Sequence, residues 1–108
     1  MSKRSNACDI SQKVKQRVFE RDGGCCVLCG NRINVLPNAH LIRRSQGGLG
    51  IEENILSLCG NFTQNMCHYK FDNGTKIEKE VMKAKLVDYL KSKYPNWNEK
   101  DLYYKKGE

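Results

Sequence analysis

The stretch NAHLIRRSQGGLGIEENILSLC, residues 38–59, has the pattern from which the fold of this chain is predicted. Two short apolar runs within it, residues 38–42 and 54–58, each suit a short β-strand. Residues 43–50 between them are basic and rich in glycine, which is the composition of a loop. The segment therefore predicts two strands joined by a loop, with His40 near the end of the first strand.

Helical patterns flank the two strands. Residues 11–21 have apolar side chains at helical spacing and begin with a serine that can cap the helix. A short helix is predicted for residues 67–71, and a long one for residues 75–93, where apolar residues recur at intervals of three and four. Pro95 ends the long helix, and we expect residues 97–103 to fold back onto the core.

The length and composition predict one domain. A chain of 108 residues with 39% hydrophobic residues can bury a modest core. Residues 1–10 are polar, so we expect a flexible N-terminus followed by a single domain over residues 11–108, with its core at about 17–74 and a C-terminal helix at about 75–93. No apolar run suits a membrane span or a secretory signal, so the expected compartment is the cytoplasm.

Four of the six cysteines suit a structural zinc site. They are Cys26, Cys29, Cys59 and Cys67. The first pair has the spacing of a zinc knuckle, and the second pair is further apart, with a polar insertion that can loop out. Cysteines in a reducing compartment bind metal more often than they form disulfides. We predict a closed four-thiolate zinc site; a site that recruits Cys25 or His68 instead is the alternative.

A second set of polar residues suits hydrolysis of a phosphodiester. That reaction needs a base to activate water and a cation at the phosphate. The pKa of a histidine lies near the operating pH, so His40 at the end of a strand can be the base. His68 and Asp72 are four residues apart on a predicted helix, so they project from one face and could share an ion. Asn54 can orient these groups.

The charge of the chain favours a polyanionic partner. The formal net charge is +7, and the basic residues occur in two groups. Arg43 and Arg44 lie in the loop between the strands, and Lys13, Lys15 and Arg17 lie on the first helix. We predict that both groups make sequence-independent contacts with DNA phosphates. A solvated basic face is the alternative for the lysines of the first helix.

Taken together, these residues resemble the HNH nuclease family, which is built on the ββα-metal motif, in its cysteine-framed branch from phages and prophages. The resemblance runs from residue 17 to residue 72. The segments that carry it are Arg17-Val-Phe-x-Arg-Asp-Gly, Cys26-x2-Cys29-Gly, Ala39-His40-Leu-Ile-x-Arg-Ser-Gln-Gly-Gly, Glu53-Asn54-Ile, Leu58-Cys59 and Cys67-His68-x3-Asp72. The tail, Tyr94-Pro-Asn-Trp-Asn with Leu102-Tyr103-Tyr104, is also similar to the C-terminus of small phage HNH proteins.

The resemblance implies an α+β fold with a ββα-metal (HNH, or His-Me finger) core, a structural zinc and flanking helices. It implies that His40 is the general base and that Asn54 orients this base or touches the metal. His68 matches a ligand of one catalytic divalent cation, which we expect to be Mg²⁺, Mn²⁺ or Ni²⁺. Asp72 falls where some members carry a further ligand. Family members cut DNA and leave a 5′-phosphate.

The expected function is a metal-dependent DNA endonuclease that nicks with low sequence specificity as a monomer. The resemblance also suggests a phage-infected or bacterial host and phage packaging proteins as partners. One departure from the family pattern is Ala39, which stands where many members carry an Asp or a second His as a metal ligand. That departure favours the alternative of a zinc-stabilised DNA-binding module without cleavage. A small zinc adaptor that binds protein through its C-terminal helix is a third hypothesis.

Overall fold

The computed structural model describes residues 3–60, residue 63 and residues 65–105. In this part of the chain the fold is α+β, with one two-stranded antiparallel sheet surrounded by helices. The elements are α1 (Lys3–Cys8), α2 (Gln12–Arg21), β1 (Val35–His40), β2 (Ile55–Cys59), α3 (Cys67–Asn73) and α4 (Lys76–Lys93), with short 3₁₀ turns at Arg44–Gln46 and Glu99–Leu102. Among the helices described, none has the length and apolar character needed to cross a membrane.

Side-chain caps determine where the two long helices begin. The Oγ of Ser11 accepts a hydrogen bond from the backbone N–H of Val14 at 3.2 Å, so α2 begins directly after Ser11. Thr75 and Glu78 form a reciprocal capping box at the start of α4, with bonds of 3.1 and 3.2 Å. The predicted helices at residues 11–21 and 75–93 are therefore confirmed.

The strands are paired as predicted, but their bounds differ. Val35 pairs with Cys59, His40 pairs with Ile55, and the register shifts beside Pro37. Proline has no backbone N–H to donate to the ladder, so a run that contains it does not look like a strand. The first strand consequently starts three residues before the predicted position, and it ends at His40.

The N-terminus differs from the prediction of a flexible segment over residues 1–10. Helix α1 lies in this segment, and the side chain of Cys8 at its end is buried. The backbone N–H of Gly50 donates to the carbonyl of Ala7 at 3.0 Å, and Arg4 donates to the carbonyl of Ser45 at 2.8 Å. These are long-range contacts, so the polar local composition gave no sign of them. Residues 1 and 2 lie outside the described part.

The core forms where α4 and the C-terminal tail pack on the sheet. Every residue of β2 is buried, as are Leu86 and Leu90 of α4. Trp97 donates to the carbonyl of Glu53 at 2.8 Å, which confirms that the tail folds back. The apolar face predicted for α4 is buried only in its second half, because Ile77 is 74% exposed near its start.

A buried polar network joins α2 to β2 and α4. Arg21 donates to the carbonyl of Ile55 at 2.7 Å and forms an ion pair with Asp22 at 2.8 Å. Asp22 in turn accepts from the backbone N–H of Ser57 at 2.9 Å and from the hydroxyl of Tyr89 at 2.6 Å. The Arg-Asp pair that ends α2 thus fixes the strand that leads into the cysteine cluster.

Candidate active site and metal centre

The structure brings the four predicted zinc ligands together. The Sγ atoms of Cys26, Cys29, Cys59 and Cys67 all lie within 4.8 Å of one another, and those of Cys29 and Cys59 are 3.7 Å apart. A tetrahedral zinc with bonds of about 2.3 Å would place its sulfurs about 3.8 Å apart. The cluster fits one ion of this kind, and neither Cys25 nor His68 belongs to it.

Three separate segments contribute to the cysteine cluster. Cys26 and Cys29 lie in a tight turn, in which the N–H of Gly30 donates to the carbonyl of Cys26 at 2.9 Å. Cys59 ends β2, and Cys67 begins α3 with its backbone N–H donating to the Cys59 sulfur at 3.3 Å. An ion held by the cluster would therefore join the turn, the sheet and α3. Of the predicted insertion at residues 60–66, positions 61, 62 and 64 lie outside the described residues.

The thiols have different affinities for protons. Burial raises the pKa of Cys26, and burial together with the neighbouring Cys26 raises that of Cys67. Burial alone would also raise the pKa of Cys29. Hydrogen bonds from Asn65, from the backbone of Asn31 and from the other thiols outweigh this effect and lower the pKa to about 7. Four thiolates packed this closely repel one another, so the fully ionised form needs a cation to neutralise it.

A separate cavity of about 420 Å³ collects the other predicted site residues. The residues lining it are Asn38, His40, Arg43, Arg44, Ser45, His68, Asp72 and Asn73. They come from the end of β1, from the loop after it and from α3. Both histidines, the predicted acid ligand and both predicted loop arginines thus lie around one opening.

His68 and Asp72 form a pair on one face of α3. The Nε2 of His68 lies 3.4 Å from the Oδ2 of Asp72, and both side chains are partly open to solvent. Arg43 donates to the backbone carbonyl of Asp72 at 2.7 Å, which leaves the carboxylate for other partners. Nitrogen and oxygen donors of this kind suit Mg²⁺, Mn²⁺ or Ni²⁺. Across the described residues, the cysteine cluster is the only group of three or more His, Cys, Asp or Glu side chains close enough to share a metal ion. A cation at His68 and Asp72 would therefore complete its shell with water or phosphate.

His40 lies half-buried at the end of β1. Its Nε2 is 3.0 Å from the carbonyl oxygen of Cys8, at the end of α1. Burial lowers the pKa of His40 and outweighs the bond to Cys8, which acts in the opposite direction. The positive charge of Arg44 and the nearby His68 lower it further. The imidazole is consequently neutral over a wider pH range than an exposed histidine, as a base requires.

Asn54 supports the loop and does not line the cavity. Its side chain is completely buried, and its Oδ1 accepts from the backbone N–H of Ile42 at 2.8 Å. Its Nδ2 donates to the carbonyls of Ile42 and Leu49 at 3.2 and 2.8 Å. A metal would bind the amide oxygen, and this oxygen already accepts from Ile42 inside the core. The geometry therefore favours the expected orienting role and not the alternative of touching a metal.

The basic residues fall into two groups with different positions. Arg43 and Arg44 lie at the edge of the cavity. Lys13, Lys15 and Arg17 lie on α2 and do not line it, and Arg17 is paired with Glu52 at 3.4 Å. The structure therefore brings the loop arginines to the candidate site and leaves the α2 group on a separate surface.

Asn38 is a cavity residue that the sequence patterns did not single out. Its Oδ1 is buried and has no hydrogen-bond partner in the described part of the chain. Positions 38 and 40 are two apart on a strand and so share a face, which is the signal that could have identified it. Ala39, in contrast, is completely buried in the hydrophobic core. The position that departs from the family pattern therefore faces away from the cavity.

We compared the chain with models of protein families, with curated proteins and with solved structures, and none of them matched. Any assignment of function therefore depends on the geometry of the chain's own residues.

Proposed function

We propose that this protein is a metal-dependent DNA endonuclease of the HNH type, which hydrolyses phosphodiester bonds and nicks DNA with low sequence specificity. The observation that carries the proposal is that His40, the His68–Asp72 pair and two arginines line one cavity. A base, a candidate cation site and phosphate-binding groups are the parts that this reaction needs.

In this proposal the cysteine cluster holds a structural zinc. Four thiolates leave no ligand position open for a substrate, so the zinc would stabilise the fold and take no part in the chemistry. Its contribution to the site would be indirect. It would fix the start of α3, where Cys67 is followed by His68 in the chain.

Six residues have separate roles in this proposal. His40 takes a proton from the water that attacks the phosphorus. His68 and Asp72 would hold the divalent cation, which would neutralise charge at the phosphate and at the leaving oxygen. Arg43 and Arg44 bind phosphates on either side of the scissile bond. Asn54 fixes the loop that carries the two arginines, through its bonds to Ile42 and Leu49.

The proposal extends to the partners of the protein, its oligomeric state and its compartment. DNA is the expected partner, a monomer is the expected active form, and phage packaging proteins are further candidate partners in the bacterial cytoplasm. The motif resemblance and the net charge of +7 support the assignment of DNA as the partner.

One observation favours a second candidate function, a zinc-stabilised DNA-binding module that does not cleave. Among the described residues that line the cavity, His68 and Asp72 are the only imidazole and carboxylate that lie within 4 Å of each other, and His40 is bonded to the carbonyl of Cys8. A cation held by two protein ligands binds weakly unless the DNA phosphate supplies another.

The two functions are separated by measuring binding and nicking on the same protein. Supercoiled plasmid is incubated with the purified chain in Mg²⁺, Mn²⁺ or Ni²⁺, and a gel-shift assay is run in parallel with EDTA. The endonuclease produces open-circular plasmid with at least one ion, whereas the module shifts DNA and produces none. A protein that neither shifts nor nicks DNA supports the zinc adaptor.

A further inference from the structure

We infer that the N-terminal helix α1 is part of the active site, because the carbonyl oxygen of Cys8 accepts a hydrogen bond from Nε2–H of His40 and leaves Nδ1 as the nitrogen that takes the proton. The catalytic role of Nδ1 rests on the proposed function. The contact between α1 and the imidazole does not, because it is a feature of the fold.

The chemistry of the two atoms determines which one donates. A carbonyl oxygen can only accept a hydrogen bond, and it lies 3.0 Å from the Nε2 of His40. In a neutral imidazole one ring nitrogen is a donor and the other is an acceptor. When Nε2 of the neutral ring carries the hydrogen, Nδ1 has a lone pair that can accept a proton. Cys8 is the positioning residue here, and it acts through its backbone.

Several contacts hold α1 against the loop after β1. Arg4 donates to the carbonyl of Ser45 at 2.8 Å, and Gly50 donates to the carbonyl of Ala7 at 3.0 Å. Arg44 forms an ion pair with Asp9 just beyond the helix. The loop that carries the cavity arginines and the helix that contacts His40 thus hold each other in place.

Gly50 offers a way to move the Cys8 carbonyl without changing either partner. A Cβ at this position would lie 2.0 Å from the carbonyl oxygen of Asp9 and 3.0 Å from that of Cys8. The φ of Gly50 lies outside the left-handed region, so alanine is not excluded by the backbone angle. Gly50→Ala should therefore displace the end of α1 from His40 and leave the rest of the loop intact.

Hydrolysis of the phosphodiester would transfer one proton to His40. A proton moves from the attacking water to Nδ1 of His40, the water oxygen bonds to phosphorus, and the bond from phosphorus to the 3′ oxygen breaks. The 3′ oxygen leaves as a hydroxyl after it takes a proton from bulk water. The ring then carries a positive charge, and its Nε2–H bond to Cys8 becomes charge-assisted and stronger. The Cys8 carbonyl thus orients the imidazole and also stabilises its protonated form.

The test is NMR spectroscopy of the full chain labelled with ¹⁵N-histidine. The chain has two histidines, so a His68→Ala variant assigns both sets of signals. We expect the neutral His40 ring to carry its hydrogen on Nε2, with that hydrogen protected from exchange with water. Gly50→Ala should lose this protected signal. It should nick DNA at least about tenfold more slowly, which is part of the roughly 10²–10⁴-fold that a general base typically supplies.

Two further variants cover the case in which Gly50→Ala does not fold. Arg4→Ala removes the contact of α1 with Ser45 and should speed the exchange of the Nε2 hydrogen, whereas Lys3→Ala, the matched loss of an exposed cation on the same helix, should not. A hydrogen on Nδ1 of His40 in the parent protein would overturn the inference, as would unchanged exchange in both Gly50→Ala and Arg4→Ala. If the protected Nε2 signal is present but the parent nicks nothing, the contact stands and the proposed function fails.

Discussion

Cys67 and His68 are neighbours in the chain, yet their side chains belong to two different sites. The sulfur of Cys67 joins the cysteine cluster, and the imidazole of His68 lines the cavity with His40. The first turn of α3 therefore connects the candidate zinc site to the candidate cation site. Any change that displaces Cys67 should also displace His68.

Zinc content is the first prediction. We expect about one zinc per chain, and we expect Cys26→Ser to lose it together with the folded structure, because a closed thiolate site in a small domain contributes folding free energy directly. Elemental analysis and thermal unfolding measure the two effects. Cys25→Ser is the matched control, because Cys25 is adjacent in sequence but lies outside the cluster. Parent protein that contains no zinc after purification without chelator would contradict the assignment.

Salt dependence tests the loop arginines. The double variant Arg43→Ala/Arg44→Ala should bind all DNA sequences more weakly. If each arginine neutralises one phosphate, the slope of log affinity against log salt should fall by about 1.8 in magnitude, at about 0.9 for each contact. Fluorescence anisotropy across a salt series measures it.

The matched control for the arginines is Lys91→Ala/Lys100→Ala, which also removes two exposed cations. The same experiment on Lys13→Ala/Lys15→Ala tests whether the α2 surface touches DNA. An unchanged slope in the arginine variant would mean that these side chains serve only their contacts with Asp72 and Asp9.

Asn54→Ala should destabilise the protein. The substitution leaves the N–H of Ile42 and the carbonyls of Ile42 and Leu49 without the partners that they have now. A buried polar group without a partner costs about 1–3 kcal/mol, so we expect a loss of at least that size in the free energy of unfolding. Urea denaturation measures the loss, and Asn96→Ala on the exposed tail is the control. A loss below about 0.5 kcal/mol, the range of ordinary surface substitutions, would show that water replaces these bonds.

The elements that were predicted well are those whose signals are local. The start of α4 follows from Thr75 and Glu78, which cap it within four residues. The cysteine set is predicted from the zinc-knuckle spacing of Cys26 and Cys29 and from the preference of thiols in a reducing compartment for metal. Helix α1 contacts His40 and Gly50, which are both distant in sequence, so no local pattern predicts these contacts. The role of Asn54 as a support of the loop could be recognised only from its three hydrogen bonds in the structure.

The pH dependence of cleavage follows from the environment of His40. Burial lowers the pKa of this residue, so its neutral form persists below the ordinary histidine value of about 6.5. The acid limb of kcat/KM should therefore have its midpoint below about 6.5. A midpoint at or above that value in a pH–rate profile would mean that another group is the base.

The lowered pKa of His40 also makes the free energy of unfolding depend on pH. The folded state holds its His40 proton less tightly than the unfolded state, so the unfolded state binds more protons at low pH. The contribution of His40 to stability should be complete above about 6.5 and should be lost as the pH falls towards the lowered pKa. Denaturation of the parent and of His40→Gln across this window measures the difference, and parallel curves for the two proteins would contradict it.

The proposed endonuclease activity is tested most directly by the rate of plasmid nicking by the parent, His40→Ala and His68→Ala as the Mn²⁺ concentration is raised. We predict that the parent nicks and that His40→Ala is slower by about 10²–10⁴-fold at every concentration, because its loss removes the base. His68→Ala should also be slow, but should recover partly as the ion becomes more concentrated. Zinc content and DNA affinity should be nearly unchanged in both variants. A parent that binds the plasmid but nicks it with none of Mg²⁺, Mn²⁺ and Ni²⁺ would contradict the endonuclease, and equal recovery of both variants would mean that His40 is a metal ligand and not the base.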